Sequence, residues 1–285
     1  MHIISGLDDF KKVFLADNSS DKWQNWYSNY YCKYNHVLDL IFAVLHNAQV
    51  KEMKERVRNL TYGSFINTAE KFINDGGIKC VKNSLKEAED YFDFTYDYKV
   101  YLLIGLGFVD ATSLPADPPF IYFGLEHYRS IEQLKYVLPH EFNHLVRFCS
   151  IGRDEFMNFS KITVKQFIIL EGLATIFPLV LKDQKIHPLS IVDVKMIPED
   201  AGEYCLKNEE LIFENLMQVW DNPITPDIMQ KYFVSSAGWR GEKPEKMGYY
   251  VGSRIIGQLI NNGWDIRELT TMKTEKIIDL WNDTQ

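Results

Sequence analysis

The chain has 285 residues, 46% of them hydrophobic, which is enough to bury a sizeable core in one large domain or two smaller ones. Its formal charge at pH 7 is −8 and it has no long basic tract, so a nucleic-acid partner bound through its phosphates is not expected. Acidic residues fall where a secretion signal would be apolar. We therefore expect a cytoplasmic protein whose four scattered cysteines remain thiols.

The first third of the chain has the pattern of packed helices. Apolar residues recur at intervals of three and four after Ser19 and Ser20, either of which suits a helix N-cap. Residues 74–77 (Asn-Asp-Gly-Gly) interrupt the pattern, and residues 83–92 resume it. Residues 1–95 are therefore predicted to form an α-helical N-terminal part.

The pattern changes near residue 95. The runs KVYLLIGLGF from Lys99 and IYFGLE from Ile121 are typical of strands, and a proline-rich connector separates them. Four helices are predicted after these strands, beginning at about Ser130, at about Ser160, at Lys246 and at Thr274, which is expected to cap the last of them. Because no linker separates the two parts, they form either two domains or one continuous unit.

The most apolar run is FIILEGLATIFPLVL, residues 167–181. It is shorter than the roughly 20 residues that span a bilayer, and it contains Glu171 and Pro178. We therefore expect a buried helix with a single carboxylate, and no membrane partner.

The stretch LPHEFNHLVR, residues 138–147, carries an H-E-x-x-H pattern. On a helix, His140 and His144 project from the same face, so both imidazoles can bind one zinc ion. Glu141 projects about 100° away, which keeps it off the ion and near the position that a catalytic zinc leaves open for water. The alternative is two solvent-facing histidines on an ordinary helix. Pro139 predicts either a bend in this helix or a helix that starts there.

A catalytic zinc normally takes a third protein ligand. Glu171 is the candidate, because a carboxylate in an apolar run costs several kcal/mol unless it is paired or bound to a cation. The alternative is a salt bridge from Glu171 to Arg147, while His187 has no supporting pattern. Gly172, unfavourable inside a helix, predicts close approach of a neighbouring helix backbone.

Three motifs together, HEFNH, EGLA and GYYVG at residues 248–252, resemble the gluzincin branch of zinc metallopeptidases. They are more closely similar to a family of predicted zinc-dependent proteases of unknown substrate. The resemblance covers about residues 95–265. It implies a mostly helical α+β fold with a small sheet and a thermolysin-like core, in which residues 96–285 are the catalytic domain and zinc is held by His140, His144 and Glu171.

The resemblance also implies roles for other residues. Glu141 would be the general base, and Tyr249 would donate a hydrogen bond to the oxyanion, although packing is an equal alternative for Tyr249. The strand at residues 120–124 would be a sheet edge that binds an extended peptide, although five apolar residues in a row more often form plain core. Thr175 departs from the pattern, because thermolysin-like enzymes have aspartate there to support a ligand histidine.

The sequence thus predicts a zinc-dependent enzyme that hydrolyses peptide bonds in a peptide or protein substrate. One alternative is a binding or regulatory protein that keeps zinc for stability, which the departure at Thr175 favours. Another is zinc-dependent hydrolysis of a non-peptide amide.

Overall fold

The computed structural model describes residues 1–15, 21–45, 48–156, 161–234 and 246–284. The chain is mostly helical and forms a four-stranded mixed sheet, which confirms the prediction of an α+β fold. The four cysteines lie in the described part of the chain and form no disulfide there, in agreement with the expected thiols. The predicted helix caps Ser19 and Ser20 lie outside the described residues.

Helices outnumber strands in the described part of the chain. The helices are α1 (Leu7–Leu15), α2 (Lys22–Trp26), α3 (Cys32–Asp39), α4 (Val50–Asn59), α5 (Tyr62–Asn74), α6 (Gly77–Phe92), α7 (Ile131–Glu155), α8 (Val164–Leu181), α9 (Ser190–Asp193), α10 (Glu199–Lys207), α11 (Glu209–Met217), α12 (Pro226–Tyr232), α13 (Met247–Asn261), α14 (Ile266–Thr271) and α15 (Thr274–Asn282). The strands are β1 (His2–Ser5), β2 (Lys99–Leu103), β3 (Ala111–Ser113) and β4 (Phe120–Gly124). Two π-helical segments, Tyr27–Tyr31 and Leu40–Leu45, and a 3₁₀ turn, Leu125–His127, complete the set.

The chain divides into two compact units. The first comprises residues 1–83 and 95–134, and the second comprises residues 84–94 and 135–285. Strands β2 to β4 group with the N-terminal helices because β1, which the sequence pattern did not predict, pairs with β2. The division into domains at residue 95 stays a prediction.

The sheet belongs to the first unit and has the strand order β1-β2-β4-β3. Strands β1 and β4 are parallel to β2, and β3 is antiparallel to β4. Residues 120–124 form the interior strand β4, so the sheet-edge interpretation is wrong and the alternative of plain core is confirmed. Strand β3 occupies that edge, and its three residues are too few to produce a recognisable alternating pattern.

A buried glutamate holds the loop after β2. Glu126 Oε1 accepts hydrogen bonds from the backbone N–H groups of Gly105 and Gly107, both at 2.8 Å. Leu106 and Gly107 have positive φ angles, so this loop turns through a conformation that favours glycine. Burial raises the pKa of Glu126 to about 7, although the backbone hydrogen bonds lower it.

The raised pKa of Glu126 predicts a pH dependence of the stability. The stability that the protonated Glu126 side chain contributes is fully present below the unfolded-state pKa near 4.5. This stability is lost as the pH rises through about 7. The difference in free energy of unfolding between Glu126→Gln and the parent protein should therefore change with pH. It should rise in favour of the variant by about 3 kcal/mol from pH 4 to pH 8. Urea denaturation of both proteins across this range measures the difference. A difference that does not change with pH would contradict the prediction.

Helix α8 forms the centre of the second unit. By length and composition it could cross a membrane, but 78% of it is buried, as core helices are. It starts with a capping box, in which Thr163 accepts from the backbone N–H of Gln166 and the Gln166 side chain accepts from the backbone N–H of Thr163. The burial agrees with the expected internal helix that carries one carboxylate.

The predicted cap at Thr274 is wrong. Lys273 is the N-cap of α15, and Thr274 is its first helical residue. The hydroxyl of Thr274 instead donates to Glu155 Oε2 at 2.7 Å, because this carboxylate is directed at the start of the helix.

Candidate metal centre

Helix α7 places the two histidines of the H-E-x-x-H pattern together. It is continuous from Ile131 to Glu155 with Pro139 inside it, so the helix does not begin at the proline. The rings of His140 and His144 meet edge to face with centroids 4.7 Å apart, and their Nε2 atoms are 3.1 Å apart. Both nitrogens therefore point to one location.

Glu171 completes this group from α8. Its Oε2 atom lies 3.3 Å from Nε2 of His140 and 3.4 Å from Nε2 of His144. All three side chains are buried, and they form a group that could hold a metal ion. The structure thus brings together the three residues that the sequence proposes as ligands.

The spacing of the three atoms fits zinc. In a tetrahedral site with bonds of about 2.0 to 2.1 Å, neighbouring ligand atoms lie about 3.3 to 3.4 Å apart. The observed separations are 3.1, 3.3 and 3.4 Å. Two imidazoles and one carboxylate are also a ligand set that zinc takes in hydrolases, where a fourth position stays open.

Residues 110–185 match a family model described as "Predicted Zn-dependent protease (DUF2268)". The matched segment runs from the start of β3 to just beyond α8, so it includes His140, Glu141, His144 and Glu171. It does not include Tyr249. No curated protein and no solved structure matches the chain.

The electrostatics of the group favour a cation. Burial lowers the pKa of His140, which keeps that imidazole neutral with a lone pair available for a metal. Burial also lowers the pKa of His144, but the carboxylates of Glu171 and Glu141 outweigh it and raise the pKa overall. For Glu171, burial raises the pKa, and the two imidazoles outweigh burial and lower it to about 2. Glu171 is therefore ionised at neutral pH.

Glu141 lies next to His140 on α7 and has 6% of its surface exposed. Its charge acts on His144, so the carboxylate is close enough to the candidate ligands to interact with them electrostatically. This placement is compatible with the predicted role as general base, which stays a prediction.

A close helix crossing fixes the backbone beside Glu171. A Cβ atom on Gly172 would lie 2.4 Å from the backbone of Gly252 in α13, and one on Gly252 would lie 2.2 Å from the carbonyl oxygen of Ile168. Only glycine fits at either position without displacing a backbone. The predicted close approach at Gly172 is confirmed, and the second glycine of GYYVG is its partner.

Helix α13 carries Tyr249, the candidate donor to the oxyanion. Tyr249 is half-buried in the first turn, where its ring meets that of Phe233 edge to face at 6.3 Å and Lys246 Nζ lies 5.2 Å from its centroid. Its role as an oxyanion donor stays a prediction. Tyr250 and Arg254 both bind the carboxylate of Glu209, so neither is directed at the metal group.

Burial and pairing resolve three alternatives for the candidate ligands. His140 and His144 are 5% and 6% exposed, so they are not solvent-facing. Arg147 forms its ion pair with Glu155 rather than with Glu171. His187 is exposed and pairs with Asp193 at 2.7 Å.

Proposed function

We propose that this protein is a zinc-dependent hydrolase that cleaves peptide bonds in peptides or proteins. The observation that carries the proposal is the buried group of His140, His144 and Glu171, whose three ligand atoms have the spacing of a tetrahedral zinc site. The family match over residues 110–185 supports it, since that family is described as a predicted zinc-dependent protease.

The roles of the chain's own residues follow from their placement. Zinc, when bound, would polarise the scissile carbonyl and lower the pKa of water toward 7. His140, His144 and Glu171 would hold it from one side and leave the opposite side for the reactants. Glu141 would take a proton from the attacking water and return it to the leaving amine. Tyr249 is the proposed hydrogen-bond donor to the oxyanion.

We also propose that the enzyme is of the gluzincin type with a thermolysin-like core. The support is the division of the ligands between two helices, with both histidines on α7 and the glutamate on the following helix α8.

Metal analysis combined with a cleavage assay tests the proposal. The purified protein should contain one zinc per chain, and His144→Ala should lose it because two ligands bind zinc far more weakly than three. The variant His187→Ala is the matched control and should keep the metal, since His187 pairs with Asp193 instead. Cleavage of a mixed fluorogenic peptide library should stop with chelator and return with zinc. A protein without zinc, or cleavage that chelator does not affect, would contradict the proposal.

A second candidate is a binding or regulatory protein that uses zinc for stability. This candidate is favoured because no hydrogen bond orients the candidate ligand histidines. In the described part of the chain, the Nδ1 atoms of both histidines and the hydroxyl of Thr175 have no hydrogen-bond partner. Enzymes usually orient ligand histidines through that nitrogen. One zinc per chain, a large fall in melting temperature with chelator and no cleavage of the library would identify this candidate.

A further inference from the structure

The helix that carries the two histidines is also fixed by buried polar contacts on another face. Asn143 and Arg147 are both 0% exposed, and both bind the segment that runs from the end of α14 to the start of α15, residues 269–274. Asn143 Nδ2 donates to Thr270 Oγ1 at 2.9 Å. Asn143 and Arg147 are one helical turn apart, as the two histidines are. One face of this stretch of α7 therefore directs the histidines at the metal group, and another face directs Asn143 and Arg147 at residues 269–274.

Arg147 binds the backbone at the end of α14. Its Nη1 atom donates to the carbonyl oxygens of Leu269, Thr270 and Met272 at 3.4, 3.0 and 2.9 Å. The last carbonyls of a helix have no partner within the helix, and the negative end of the helix dipole attracts a cation there. The guanidinium of Arg147 supplies hydrogen-bond donors for these carbonyls and a positive charge at this end of the helix.

The second terminal nitrogen of Arg147 closes a network with α15. Nη2 donates to Thr274 Oγ1 at 3.0 Å and to Glu155 Oε2 at 3.3 Å. Glu155 in turn accepts from the backbone N–H of Thr274 at 2.7 Å. Burial lowers the pKa of Arg147 to about 10 against the opposing effect of Glu155, so the guanidinium stays charged at neutral pH.

A buried ion pair of this kind is weak evidence for a purely stabilising role. Removing an arginine from water costs several kcal/mol, and well-packed apolar residues often replace a buried ion pair without loss of stability. An apolar residue cannot form directional hydrogen bonds. A guanidinium has five donors in a planar fork, and these fix the position of the groups that they bind. His144 precedes Arg147 by less than one turn, so a guanidinium fixed on residues 269–274 also fixes the position of His144.

We propose that Arg147 is a positioning residue for the metal centre. It anchors α7 to the segment 269–274 and thereby holds the imidazoles of His140 and His144 at ligand distance from Glu171. The inference depends on the proposed zinc site. The proposal predicts that Arg147, which does not contact the metal group, influences the affinity of the protein for zinc.

Zinc affinity, measured by competition with a chromophoric chelator on fully folded protein, tests the proposal. Arg147→Met keeps an unbranched apolar stem but removes the guanidinium and its donors, and it should weaken zinc binding about tenfold or more, as loss of groups that orient ligands does. Arg147→Lys keeps the charge but replaces the planar fork of five donors with one ammonium group, and its zinc affinity should be intermediate. Arg254→Met is the matched control: it breaks another partly buried pair of the second unit, with Glu209, and should leave zinc affinity unchanged even where it lowers the melting temperature.

The outcomes separate the two proposals. If the parent protein binds no zinc, the proposed function fails. If the parent binds zinc and folded Arg147→Met binds it equally tightly, the zinc site stands and the positioning role is overturned. If Arg147→Met does not fold, Arg147→Lys decides the outcome, because lysine also lacks the planar fork with which Arg147 binds Thr274 and Glu155. Unchanged zinc affinity in folded Arg147→Lys would then overturn the proposal, and a reduced affinity would support it.

Discussion

Glu141→Gln is expected to reduce peptide hydrolysis by about a thousandfold while the protein keeps its zinc. A positioned general base contributes on the order of 10² to 10⁴ in rate, and glutamine has the same shape but cannot take a proton. The three candidate ligands are untouched by the substitution, and the variant residue stays beside His140. Metal content and turnover of a fluorogenic peptide mixture, measured on the same sample, give both quantities.

Glu132→Gln is the matched control for this experiment. It makes the same chemical change on the same helix, about two turns before His140, and it should hydrolyse peptides like the parent. Full activity in Glu141→Gln would remove this residue from the mechanism. Loss of zinc in Glu141→Gln would instead indicate that the carboxylate supports the metal group.

Glu171→Leu is expected to weaken zinc binding by on the order of a hundredfold to a thousandfold. The carboxylate is the only anion among the three candidate ligands, and structural zinc sites derive about 10 to 16 kcal/mol from their full ligand set. A zinc concentration that is 100 times the parent Kd should raise the parent's free energy of unfolding by about 2.7 kcal/mol, and this gain should disappear in the variant. Thermal unfolding with and without zinc measures it.

Thr175→Val provides the control on the same helix. Its hydroxyl is buried without a hydrogen-bond partner among the described residues, so an apolar isostere should be tolerated and zinc should stabilise the variant as it does the parent. A zinc-induced shift that survives in Glu171→Leu would exclude Glu171 as a ligand. A shift lost equally in both variants would mean that the packing of α8, rather than its carboxylate, determines binding.

Several features of the candidate site could be predicted from the sequence. The spacing of His140 and His144 requires a shared helix face, and Glu171 stands out because a lone carboxylate in an apolar run needs a cation. Gly172 indicates a close helix contact. The inferences about the histidines and Glu171 depend on local geometry and on the cost of burying one group, so the sequence alone supports them, and zinc binding by these residues stays a prediction. The helix that contacts Gly172 depends on how distant segments pack, so the sequence did not identify it.

Other features depend on contacts between residues far apart in the chain. Strands β1 and β3 have four and three residues, too few for a pattern, and they form because they pair with longer neighbours. The pattern of residues 120–124 could not tell an edge strand from an interior one, since only pairing distinguishes them. The sequence makes Arg147 a candidate partner for Glu171, and only the structure reveals that it binds residues 269–274 instead.

The sequence by itself determined which side chains could hold a metal, and it placed both histidines on one helix face. The tertiary structure decided how those side chains meet and what fixes them. Helix periodicity places residues four apart on one face, whereas the separation of two helices depends on packing across the core. Packing across the core therefore decides three features of the candidate site. These are the 3.3 and 3.4 Å distances from Glu171 to the histidines, the close contact of Gly172 with α13, and the hydrogen bonds from Arg147 to residues 269–274.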